Sequence, residues 1–190
     1  KGVDEIAYSQ TPPSKFSNKI TFGSFNNILK VSNTTINSWA KLLNSFPSSQ
    51  LILKSSSDVD GNSFEEIKNQ FEKLKIFKNR IKLLERTKTQ RQHLKCYNFI
   101  DIALDTFPFN GATTSFEALW MGVPVMTIEG KHHVSRVTTS ILKVLNLKEF
   151  IGSDIDDLVN KTKSIVKDQK KLQFLRTNLR KMMKSSILTD

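Results

Sequence analysis

An α/β chain wound on both faces of a parallel sheet is what this sequence predicts, on three observations. Short β-rich runs alternate with amphipathic helical stretches along most of its 190 residues. The stretch IDIALDTFPFNGATTSFEALWMGVPVMTIEG, Ile100 to Gly130, compresses a strand, a glycine turn, a helix and a second strand into about the 30 residues a parallel crossover needs. Finally, the polar residues that leave the first strand fall at the edge where doubly wound sheets place ligands.

Taken in order, residues 1–18 contain Pro12-Pro13 and no periodicity, and read as a linker or strap. Lys19–Phe25 is an apolar run with Gly23, a first core strand. Thr35–Asn44 places Ile36, Trp39, Ala40 and Leu43 at i, i+3, i+4, i+7, a helix with one buried stripe. Gln50–Lys54 is a second strand, and the polar segment Ser55–Asn62 a loop. Phe64, Ile67, Phe71 and Leu74 mark another amphipathic helix, and Ile81–Leu84 a third strand. Thr87–Phe99 is helical, Ile100–Asp105 a strand, Thr113–Met121 a helix with Phe116, Leu119 and Trp120 turned to the sheet, and Val125–Ile128 a strand. A further helix starts in the run 131–136, and Leu145–Ile151 approaches a last strand. Ile155–Val166, behind a Ser153/Asp154 cap, and Lys170–Met183 close the chain as helices whose Lys and Arg residues form a solvated face. Strands and helices in this alternation give a Rossmann-like sheet with right-handed crossovers over residues 19–190.

The central helix begins with Thr113, Thr114 and Ser115, hydroxyl residues suited to an N-terminus with its unpaired N–H groups. Such an end carries about half a positive charge and seats phosphate readily. Glu117, one turn on, shares a face with Thr113 and Thr114. An anion seat beside a carboxylate fits a nucleoside diphosphate whose ribose offers hydroxyl donors. Pattern alone also allows an ordinary crossover whose threonines only cap the helix.

Composition closes several other routes. No run approaches the ~18 apolar residues of a membrane span, and no signal peptide is visible. A lone Cys96 excludes an internal disulfide framework and a cysteine zinc site. The adjacent His132 and His133 point in different directions on a helix and have no acidic partner at i+4, so no metal is expected. Net charge of +11 with a pI of 9.8 would favour a polyanion if the lysines were clustered. They are spread over helix surfaces without interleaved aromatics, so neither nucleic acid nor membrane is expected as a partner. The expectation is a cytoplasmic protein. A chain that opens at Lys1 without Met reads as one half of a larger, two-lobed enzyme.

The run LDTFPFNGATTSFEALWMGVPVMT resembles the O-linked N-acetylglucosamine transferase family, including its bacterial and SPINDLY-like members, and the likeness extends to Phe22–Lys54, His132–Leu142 and Leu175–Asp190. The resemblance implies the C-terminal, donor-binding lobe of a GT-B glycosyltransferase. It places the pyrophosphate of a UDP-sugar at Gly111, Thr113 and Thr114 and the ribose at Glu117. It makes Asn27 an amide contact to the diphosphate, and Lys30 the catalytic lysine that neutralises the departing phosphate. It sets His93 beside uracil and ribose, and gives Arg136 a structural or phosphate-side role. Two positions depart from the animal enzymes, with Gln90 and Cys96 where those carry a lysine and an arginine. Without the FGSFNNILK context Lys30 would be one more solvated lysine, and His93 a surface histidine.

What the resemblance implies is inverting transfer of a sugar, N-acetylglucosamine, from a UDP-sugar to protein Ser or Thr hydroxyls. No cofactor is expected beyond that donor substrate. The acceptor protein or peptide and the general base would engage an N-terminal lobe and its tetratricopeptide (TPR) repeats, leaving this chain inactive by itself. The rival readings are the same fold with another donor or acceptor (fucose or glucose; glycan or lipid), and a non-catalytic nucleotide-binding module.

Overall fold

The structure, a computed structural model, describes residues 6–55 and 61–189. Six strands, all paired in parallel, form one sheet in the order β3-β2-β1-β4-β5-β6. They are β1 (Thr21–Ser24), β2 (Gln50–Lys54), β3 (Ile81–Leu84), β4 (Ile102–Leu104), β5 (Val125–Ile128) and β6 (Ile151–Gly152). The chain steps outward from β1 to β3, then returns to the other side of β1 and steps outward again. That reversal leaves a crevice beyond the carboxyl ends of β1 and β4, the topological switch point of the doubly wound fold.

The helices α2 (Asn33–Ser45), α3 (Gly61–Lys73) and α7 (Ile155–Lys167) pack together, as do α5 (Thr113–Trp120) and α8 (Gln169–Lys184). Shorter helices are α1 (Ser14–Ser17), α4 (Gln90–Lys95) and α6 (Val137–Val144). Strands covered on both faces must be apolar almost throughout, and Phe22, Leu51, Leu53 and Ile102 are all buried to 1% exposure or less. Gly23 belongs to the same demand: a Cβ there would come within 2.6 Å of the Ile100 side chain. The stripe predicted for α2 is buried, with Ser32 capping the helix through a bond from Thr35 N.

β2, β3 and β5 occupy the residues predicted for them, whereas β1 and β4 are shorter. The helix expected over Thr87–Phe99 starts only at Gln90, where Thr89 and Gln92 form a capping box, and tightens into a 3-10 turn at Cys96–Phe99. The 3-10 turn His133–Ser135 precedes α6. Of the loop expected at Ser55–Asn62, residues 56–60 lie outside the described residues, as do residues 1–5 of the expected strap.

Two expectations about helix faces are corrected. On α5 the positions buried toward the sheet are Ser115, Ala118 and Leu119. Phe116 and Trp120 are half-buried and line a groove of about 250 Å³ with Gln90, Leu94 and Met183. On α8 the basic residues do not all face solvent. Arg176 is 1% exposed. Its guanidinium donates to Ser9 O (3.0 Å), Ile100 O and Tyr97 O (both 3.2 Å), and Arg180 donates to Trp120 O and Ile6 O. These bonds hold residues 6–9 and the approach to β4 against the last helix. Among the described residues no helix is long and apolar enough to cross a membrane.

Candidate functional site

Three segments meet at the crevice: Asn26–Lys30 after β1, Asp105–Ala112 after β4, and the start of α5. Asp105, buried just after β4, organises the second. Its Oδ1 accepts from Thr106 N (2.9 Å) and Gly111 N (2.7 Å), and its Oδ2 from Thr127 Oγ1 (2.8 Å). Gly111 is thereby drawn under the helix start. A Cβ on it would lie 2.4 Å from Thr114 Oγ1 and 2.8 Å from Asn26 Oδ1, so the close approach of the two loops requires glycine.

The threonines do not cap α5. Its N-cap is Ala112, with no side-chain cap bond. Thr114 Oγ1 instead donates to Asn26 Oδ1 (2.7 Å), Ser115 pairs with Thr138 (2.8 Å), and Thr113 is exposed. The hydroxyls brace the helix sideways, and its first N–H groups are left to whatever anion enters the crevice.

Lys30 ends a 3-10 turn, Ile28–Lys30, that Asn27 caps by accepting from Leu29 N (3.0 Å). With Asn27 Oδ1 engaged in the turn, its Nδ2 is the group left to donate to an anion. The Lys30 ammonium donates to Asn110 O (3.1 Å) and sits 4.4 Å from the centre of the Phe109 ring. It therefore stands over the loop that leads into α5.

Across the crevice, His93 Nε2 lies 3.1 Å from Glu117 Oε2, and His93 Nδ1 lies 3.0 Å from Lys54 Nζ. Tyr97, behind them, donates to Thr114 O (3.2 Å) and reaches Glu117 Oε2 at 3.4 Å. Burial, with the Glu117 charge beside it, pushes the Tyr97 phenol well above its usual pKa, so it stays a donor. Arg136 is not brought to this group. Its guanidinium is half exposed and 3.6 Å from Glu129, which also pairs with Lys143. Its segment borders the site through Asn110 N donating to Val134 O and through the Thr138 hydroxyl, which donates to Gly111 O (3.1 Å).

Residues 11–190 match Glycosyl transferase family 41. This chain belongs to that family. A probable UDP-N-acetylglucosamine–peptide N-acetylglucosaminyltransferase SPINDLY from Solanum lycopersicum is 34% identical over 171 residues, 90% of this chain and 18% of that protein. The structure of a mutant O-GlcNAc transferase from Thermobaculum terrenum superposes with a TM-score of 0.84 at 31% identity, covering 97% of this chain and 34% of that one. The C-terminal domain of a glycosyl transferase group 1 protein (LpcC) from Francisella tularensis shares the fold alone, at a TM-score of 0.67 and 11% identity, over 96% of both chains. The chain thus spans about a fifth of the curated relatives' length, and its fold is that of a GT-B lobe.

Within this family 41 chain, sequence reasoning had named Lys30, Asn27, Gly111, Thr113, Thr114, Glu117 and His93, and the structure gathers them around one crevice. It had not named Lys54, Tyr97, Asp105 or Asn26. A lysine closing the apolar strand QLILK and a tyrosine one turn after His93 were the available signals. Of the two departures from the animal enzymes, Cys96 is buried, its thiol donating to Gln92 O, and Gln90 borders the apolar groove.

Asp105 yields a prediction with a sign. Burial raises its pKa from 3.8 to about 6, although hydrogen bonds, that from Gly111 first, pull it back. A carboxyl raised in the folded state stabilises fully below its unfolded pKa and loses that contribution as pH rises through the folded value. Asp105→Asn keeps an oxygen for both backbone N–H groups and lets the Thr127 hydroxyl turn round, but carries no charge. Urea unfolding from about pH 4 to about pH 7 is expected to move the stability gap in the variant's favour by on the order of 3 kcal/mol. A gap constant with pH would refute the buried charge.

Proposed function

We propose that residues 19–190 are the donor-binding lobe of a two-lobed, inverting transferase that moves N-acetylglucosamine from its UDP conjugate to Ser or Thr hydroxyls of protein. The observation that carries this is the convergence, in a family 41 chain, of the Lys30 ammonium, the uncapped start of α5 and the Glu117 carboxylate at one crevice. The first two are donors aimed where the diphosphate of a nucleotide sugar would lie, and the third accepts from its ribose.

In the reaction the acceptor oxygen bonds to the anomeric carbon as the bond from that carbon to the diphosphate breaks on the opposite face. The hydroxyl proton passes to a general base that this chain does not supply. Negative charge gathers on the departing UDP, and preorganised donors in a partly dry site are the usual large catalytic term for such charge. Lys30 and the α5 dipole supply them, so the reading includes no metal and no cofactor besides the donor. Asn27 Nδ2 and the N–H groups at Thr113 and Thr114 would hold the phosphates, with Gly111, its own N–H held by Asp105, letting them approach the backbone closely and His93 beside the base. Arg136 supports the loop. The base and the acceptor groove belong to an N-terminal lobe with TPR repeats, in a cytoplasmic protein of bacterial type.

Calorimetric titration of this chain with UDP, GDP and ADP tests the reading. Saturable binding of UDP, absent for the purine diphosphates, is expected, with no transfer by this chain alone. Equal responses to all three, or a preference for GDP, would overturn the uridine assignment.

A further inference from the structure

Lys54 is a charged side chain in an apolar place. It closes β2 and is 2% exposed. Burial draws its pKa below the usual lysine value, while the Glu117 carboxylate opposes that shift. Burying an ammonium is costly unless its donors are used, and the partner here is His93 Nδ1, at 3.0 Å. An ammonium can only donate. Nδ1 must therefore accept, which leaves the ring proton on Nε2, 3.1 Å from Glu117 Oε2. The Tyr97 hydroxyl reaches the same oxygen. The Nε2–H thus holds Oε2, with the one Tyr97 hydroxyl proton shared between that oxygen and Thr114 O, while among the described residues nothing donates to Oε1, on a side chain still 17% exposed.

We propose that Lys54 is a positioning and specificity residue: by fixing His93 as the Nε2–H tautomer it locks Glu117 Oε2 in place and presents Oε1 to a ribose hydroxyl, so that ribonucleotides are selected over deoxyribonucleotides. This rests on the reading of Glu117 as the ribose acceptor. Lys54 touches neither donor nor reacting atoms and acts through His93. Without it, Nδ1 loses the donor that fixes it, the imidazole is free to change tautomer or turn, and the carboxylate loses its fixed partner.

Two measurements on this chain test it. Nitrogen-15 NMR of the His93 ring should show Nε2 protonated and Nδ1 bare in the unsubstituted protein. That signature should disappear in Lys54→Met, which keeps the bulk of the stem, and return in Lys54→Arg. In parallel, calorimetry should show UDP binding about tenfold more tightly than whichever of 2′-deoxy-UDP and 3′-deoxy-UDP binds more weakly, the size expected of one hydrogen bond to a charged acceptor. In Lys54→Met that ratio should fall to about threefold or less through weaker UDP binding, with the deoxy analogue little changed. An Nδ1–H tautomer in the unsubstituted chain, or equal weakening of UDP and its deoxy analogues in Lys54→Met, would overturn the proposal. The tautomer measurement needs no variant and decides even where Lys54→Met does not fold. No binding of UDP by the unsubstituted chain would overturn the donor-site reading itself, and this proposal with it.

Discussion

Turnover by the full-length transferase is expected to fall by about 10²–10³ on replacing Lys30 with alanine, the loss typical of deleting one donor from a site that stabilises developing charge. The reason lies in where Lys30 is held. Among the described residues its ammonium bonds a backbone carbonyl, Asn110 O, rests on the Phe109 ring and has no carboxylate partner. A full positive charge thus waits beside the start of α5, where it can follow negative charge as it moves onto the departing diphosphate. Because that charge is larger in the transition state than in the bound donor, kcat should carry most of the loss and the affinity for UDP little of it. Lys30→Arg should rescue poorly, since a planar fork cannot replace a compact ammonium over the same carbonyl. Turnover is followed by UDP release and affinity by calorimetry. Unchanged turnover, or affinity and rate falling together, would remove Lys30 from the chemistry.

How far the sequence foretold this site depends on how local the determinant is. β2, β3 and β5 were legible to the residue, because strands covered on both faces are apolar runs bounded by polar segments. α4 was not, because a periodic pattern runs through the Thr89 capping box that delays the helix start. That Lys30 and Glu117 would lie at the crevice was expected, the first from the family resemblance and the second from helix spacing. The use made of Thr114 was not: its hydroxyl serves Asn26 rather than its own helix, and only the adjacency of β1 and β4 brings the two together. Lys54 escaped for a related reason. A lysine at a strand end normally marks the surface, and nothing along the chain says that His93, 39 positions away, will close over it. Asn27 was legible as a polar residue at the right edge, but the chain's own turn claims its carbonyl.

Arg176 is the case where that blindness to distant partners hides the largest structural effect. Arg176→Met is expected to lower stability by about 3–5 kcal/mol, because Ser9 O and Ile100 O would lose this donor in a dry site and Tyr97 O would keep only the long bond from Ile100 N (3.4 Å). Methionine retains the stem, so packing alone cannot account for the loss. The site is strongly desolvated, burial drawing the guanidinium pKa down to about 10. It nonetheless remains the cation that three carbonyls and the nearby Asp101 require. Asp101 accepts in turn from Ser14 N and Thr21 N, both at 2.8 Å, so one cluster ties together α8, residues 9–14 and the entries to β1 and β4. For a domain of this size the change corresponds to a melting point lower by on the order of 10 °C. Arg176→Lys should recover only part of it, since one ammonium cannot span all three carbonyls in fixed geometry. The cluster sits at the amino ends of β1 and β4, away from the crevice, so UDP affinity measured well below the variant's melting point should match the parent. A shift under about 3 °C would mean that the carbonyls find other donors and that the buried guanidinium is not what joins the last helix to the sheet.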